Sequence, residues 1–172
     1  MEKFTFIAYL RKCGHLICLL SIIIVTSCST YGLGLQGFLV ESGVMQYYIP
    51  QTKWKGKNAS AISDFTYRKS NLSGGAICNI SFILKKSQPR IVNKVIFIAD
   101  GNECFIDKIS PMFREHSAKL VRVSININEE YFIKILAAKT LKLIATIDDL
   151  EYQFSPPRVF LRDKKELYES LF

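Results

Sequence analysis

From residue 63 onward the chain alternates apolar and polar residues with a period of two, and that alternation limits its fold more than any other feature. Successive side chains of a strand point to opposite faces, so this period marks a sheet with one buried side. In residues 63–69, Phe65 and Tyr67 share one face while Asp64, Thr66 and Arg68 share the other. The next run puts Ala76, Cys78, Ile80, Phe82 and Leu84 on one face. Ser73-Gly74-Gly75 lies between the two and predicts a turn, so the pair reads as a hairpin.

Residues 92–99 are rich in β-branched side chains and read as a strand buried on both faces around Val95-Ile96-Phe97-Ile98. Asp100-Gly101 follows, then Glu103-Cys104-Phe105-Ile106. Asp-Gly between apolar runs predicts a tight hairpin, because its turn requires positive φ. Residues 110–118 read as a loop, and residues 120–127 alternate again with Val121, Val123, Ile125 and Ile127 inward. At Asn128 the period changes. Asn128 can cap a helix, Glu129 and Glu130 suit its first turn, and Phe132, Ile135 and Leu136 fall at helical spacing. A further hairpin is predicted across Asp148-Asp149, with Leu141, Leu143, Ala145 and Ile147 inward. Pro156-Pro157 stops its second strand, and a last helix is predicted from near Asp163, whose spacing to Glu166 matches a capping box.

Strands outnumber helices, and no βαβ alternation runs through the chain. The fold class expected is mainly β (α+β): an antiparallel β-sandwich or curled sheet with one or two flanking helices, set at one edge. The expected division is residues 1–27 as a signal peptide, 28–60 as a tether and irregular lead-in, and 61–172 as a single β-rich domain. Within the lead-in, Met45-Gln46-Tyr47-Tyr48-Ile49 reads as a short first strand.

The N-terminus carries the main functional signal. Arg11-Lys12 precedes a short apolar run from Leu16, which ends in Val25-Thr26-Ser27-Cys28. This is a charged region, an apolar region and small residues before a cleavage point. Val25-Thr26-Ser27-Cys28 resembles the lipobox of bacterial lipoproteins. The resemblance covers about the first 30 residues and implies cleavage between Ser27 and Cys28, with lipid attached to the Cys28 sulfur. Each buried CH₂ is worth about 0.8 kcal/mol, so two or three acyl chains hold a protein on a membrane where one does not. Ser29, rather than Asp, after the cysteine leans towards the outer membrane in such proteins. The expected partner is therefore the membrane, through Cys28.

Removing residues 1–27 takes Lys3, Arg11, Lys12 and Glu2 away, leaving 145 residues with 20 Lys+Arg and 14 Asp+Glu. The net charge of +6 suits an anionic glycan, an anionic lipid or an envelope protein as partner, and equally suits plain solubility. Nucleic acid is not expected for an exported, tethered domain. Cys78 and Cys104 would remain as an even pair. They can form a disulfide in an oxidising compartment, or stay as buried thiols. Neither has CxxC spacing, and no metal or other cofactor is expected.

No catalytic constellation stands out. His116 is the single histidine after processing, with no nucleophile elbow around it. The acids of Asp100, Glu103, Asp148, Asp149 and Glu151 lie at turns, where backbone geometry alone favours them. On the basic side, Lys53, Trp54, Lys55 and Lys57 set the only tryptophan among lysines in a segment read as a loop. An indole there can stack on a sugar or sit at a headgroup boundary while the lysines meet anions. Alternatively it covers the edge of the core. The function expected is a non-enzymatic, membrane-anchored module for binding or envelope assembly. A small envelope enzyme or inhibitor with a site around His116, and a carrier of an apolar ligand, are the alternatives.

Overall fold

The computed structural model describes residues 35–70, 74–85, 91–106, 108–115 and 120–172, with only the backbone of 113–115. Ser27, Cys28, His116 and the whole signal segment lie outside the described residues. Ten strands are described: β1 (Gln36–Glu41), β2 (Val44–Gly56), β3 (Ala59–Lys69), β4 (Gly74–Leu84), β5 (Val92–Ala99), β6 (Asn102–Phe105), β7 (Ile109–Glu115), β8 (Leu120–Asn128), β9 (Leu141–Ile147) and β10 (Leu150–Ser155). Two helices are described, α1 (Glu129–Ala137) and α2 (Arg158–Leu171). All strand pairs are antiparallel, in the order β6-β5-β9-β10-β2-β3-β4-β8-β7, with β1 added to β2.

The sheet is curled into a half-barrel. Phe97 on β5 and Phe65 on β3 show how strongly. Four strand steps separate them, about 19 Å in a flat sheet, yet their ring centroids are 6.0 Å apart. The one or two flanking helices expected from the sequence are two, and both pack aromatic residues against the concave face of the sheet. Phe160 of α2 sits 4.9 Å from Trp54 and 5.3 Å from Phe65. Phe132 of α1 stacks on Tyr67 at 4.9 Å. A twisted sheet that bends round an aromatic cluster buries more apolar area than a flat one, and that burial drives the closure.

The alternation read from the sequence is the alternation of burial. Ala76, Cys78, Ile80, Phe82 and Leu84 on β4, and Val121, Val123, Ile125 and Ile127 on β8, all line the core. The turns follow their chemistry too. Asp100 and Gly101 take φ 49° and 85°, and Asp148 and Asp149 take 49° and 64°. Asn128 caps α1, its side-chain oxygen accepting from the Tyr131 N–H at 2.8 Å.

Asp100 does more than turn the chain. Its carboxylate accepts from the Thr140 N–H at 2.7 Å, the Lys139 N–H at 3.1 Å and the Thr140 hydroxyl at 3.0 Å. These donors, the Thr140 N–H first, hold its pKa below the usual carboxylate value. A depressed carboxylate contributes stability above its unfolded pKa of about 3.9 and loses it as pH falls through the folded value. In urea unfolding, Asp100→Asn is expected to lower the midpoint at pH 6, and the gap from wild type should close towards pH 2.

Three local expectations are corrected. The lead-in of 28–60 is not irregular over its described part, because β1, β2 and the start of β3 occupy most of residues 36–60. Glycines and lysines there masked a strand whose inner face is Thr52 and Trp54. The loop of 110–118 contains β7, an edge strand that tolerates Pro111 because the ladder shifts register between Pro111 and Phe113. Helix α2 begins at Arg158, after an extended Pro157 that makes no side-chain cap. Asp163 lies inside that helix and is fully buried, because placing Phe160 in the core requires the earlier start.

Candidate functional site

The lysine–tryptophan patch does not survive as a composite site. Residues 53–57 continue β2 into its turn, so the side chains divide between faces. Trp54 is 0% exposed, and its Nε1–H donates to Ser63 Oγ at 2.7 Å. No ligand can reach its ring. Lys53 and Lys55 point to solvent on the outer face, and Lys57 is exposed in the turn. Lys55 and Lys57 line a groove of about 520 Å³ where β2 meets β10, facing Glu151 and Gln153. The strands share only two paired positions there, Phe154 with Gly56 and Ser155 with Lys55. A Cβ on Gly56 would meet the Gln153 carbonyl oxygen at 2.8 Å, so this seam needs glycine.

Cys78 and Cys104 are free and buried, on β4 and β6. The disulfide that the even pair allowed is not formed. Those strands are not neighbours in the sheet, and both thiols are buried in the core. Burial pushes the thiol pKa of both upward, which keeps them protonated and poor nucleophiles.

Residues 162–166 are all charged, and the structure buries Asp163 and Lys164 while the others reach solvent. Lys164 is 5% exposed, and its Nζ donates to the carbonyls of Leu136 at 2.7 Å and Ala138 at 2.6 Å. It thereby satisfies carbonyl groups at the C-terminal end of α1. Burial lowers its pKa. Beside it Leu136, Leu161, Lys165 and Tyr168 line a groove of about 460 Å³ between the helices. Asp163 takes two bonds from the Arg162 guanidinium on Oδ1, at 2.9 and 2.7 Å. Lys164 falls four residues after Phe160 and three before Leu167, on the helix face that docks, whereas Lys165 falls off that face.

On the outer face, Asp64 is 6% exposed and accepts from Asn79 Nδ2 at 2.8 Å and from Arg122 at 3.2 Å. This network ties β3 to β4 and β8. Asp100 and Glu103 lie beside a groove of about 800 Å³ with Phe105, Tyr131 and Lys134. The Asp100 carboxylate is already engaged by the backbone, as the turn reading of these acids requires. No group of three or more metal-ligating side chains occurs among the described residues.

The surface feature with the least structural explanation is the hairpin of β1 and the first part of β2. Phe38, Leu39, Val40 and Met45 are 52%, 69%, 45% and 36% exposed. Their alternation is not that of a core strand, since adjacent residues are apolar and both faces are open. The strand expected at Met45–Ile49 is the first part of β2, whereas β1 has adjacent apolar residues and no period of two to mark it.

Searches against protein-family models, curated proteins and solved structures return no match to this chain.

Proposed function

We propose that this chain is a bacterial lipoprotein, fastened to a membrane of the cell envelope through Cys28, whose β-rich domain works by binding or assembly rather than by catalysis. The observation that carries the reading is the series Arg11-Lys12, a short apolar run and Val25-Thr26-Ser27-Cys28. The curled sheet supports it by offering grooves and an exposed apolar hairpin as surfaces for a partner. The buried, protonated thiols of Cys78 and Cys104 suit structural roles. Anionic lipid, anionic glycan or an envelope protein is the class of partner that the net positive charge favours.

Metabolic labelling with palmitate, followed by membrane fractionation, tests the reading. Wild type should carry label and sediment with membranes. Cys28→Ala should lose the label, resist processing at that bond and move out of the lipid-anchored pool. A Cys28→Ala protein processed and retained like wild type would end this reading.

A further inference from the structure

We infer that the β1–β2 hairpin is a membrane-seating element, dipping its apolar tip into the headgroup boundary of the bilayer to which the chain is anchored. The inference rests on the lipoprotein reading of Cys28 for its geometry. Gln36 lies eight residues after Cys28 in the sequence, so the chain between them spans no more than about 29 Å when fully extended. The hairpin is thus the first described element after the anchor in the sequence.

Its chemistry matches a bilayer better than a protein partner. Neighbouring residues on a strand point to opposite faces. Phe38 therefore exposes one face of the ribbon, while Leu39 and its cross-strand partner Met45 expose the other. A protein docking on one face would leave the second face wet. A lipid environment surrounds both. Cations lie immediately behind the apolar residues, as an anionic headgroup layer requires. Met45 pairs with Lys69 and Gln46 with Arg68 across β2 and β3. Arg68 Nε donates to Gln46 Oε1 at 2.8 Å, and Lys69 Nζ lies 4.7 Å from the centre of the exposed Phe172 ring.

Backbone chemistry sets the depth. The outer edge of β1 has no strand partner among the described residues. Unpaired backbone groups cannot enter hydrocarbon, so the hairpin stops where water still reaches its edge. Glu41 at the tip reinforces that limit.

The test uses the full-length lipoprotein reconstituted into vesicles of phosphatidylethanolamine and phosphatidylglycerol that contain brominated acyl chains. Leu39→Trp places a reporter at the tip, against a background from Trp54, which is buried. Strong bromine quenching at position 39, with little for Lys53→Trp on the outer face, is expected. Equal quenching at the two positions overturns the inference. Chain beginning at Ser29, lacking both the apolar leader and the lipid, should still bind the same vesicles weakly, and Phe38→Ser with Leu39→Ser should reduce that binding roughly tenfold or more. Both replaced residues are exposed, so the unfolding midpoint should hold and separate lost binding from lost folding. If position 39 stays unquenched and the protein is instead a dimer that Leu39→Lys dissociates, the hairpin is a contact between copies and the inference fails. Failure of the lipid anchor reads out separately, as absence of palmitate on wild type.

Discussion

Trp54→Ala should destabilise the domain by about 3–5 kcal/mol, the range for removing a large aromatic side chain from a packed core. Its neighbours Lys53→Ala and Lys55→Ala should each stay within about 0.5 kcal/mol of wild type. Trp54 is fully buried between Phe160 at 4.9 Å and Phe97 at 6.1 Å. It touches a helix and the strand that closes over from the far side of the sheet. Truncation also leaves the buried Ser63 hydroxyl without its indole donor. Equilibrium urea unfolding gives both results. A tryptophan that served an external ligand would show the opposite pattern: little loss of stability and a large loss of binding.

Phe160→Ala should cost a similar amount, about 3–5 kcal/mol, and should also change what the domain can bind. Phe160 is the residue by which α2 reaches the concave face, with its ring against both Trp54 and Phe65. Its removal leaves a void lined by aromatic and aliphatic side chains. Apolar cavities of this kind stay dry and accept small apolar molecules. Titration with benzene-sized ligands should therefore raise the thermal midpoint of Phe160→Ala and leave wild type unmoved. Combined with Trp54→Ala the losses should not add, because the rings share one contact. If wild type itself gained stability from a long-chain apolar ligand, the carrier reading would advance over the simple binding module.

Much of the sheet was legible because a period of two is a local property. The inward faces of β4, β8 and β9, the Asp100-Gly101 and Asp148-Asp149 turns and the Asn128 cap each depend on residues within a few positions of one another. Where local cues competed, the reading went wrong. Pro111 argued for a loop, yet an edge strand with a register shift accommodates it. Asp163 and Glu166 suggested a helix start, but the docking of Phe160 began the helix earlier and left Asp163 inside it. Of the two readings of Trp54, the core edge holds, because alternation along β2 turns the indole inward while Lys53 and Lys55 face water.

The candidate surfaces were less legible. The groove beside Lys164 exists because α1 and α2 meet, and the Lys55–Lys57 groove exists because β10 touches β2 at only two positions. Gly56 at the second seam is a mark whose meaning appears only once Gln153 is seen packed against it.

By itself the sequence determined that this is an antiparallel β protein, where its turns fall and which face of most strands avoids water. Side-chain alternation and turn dihedrals are set by near neighbours, so they can be read in a line. Only the tertiary structure decided between a sandwich and a curled sheet, chose the core over a ligand surface for Trp54, and left Phe38 and Leu39 exposed. Those outcomes depend on contacts between residues far apart in the chain, where competition for buried area chooses among side chains of the same kind.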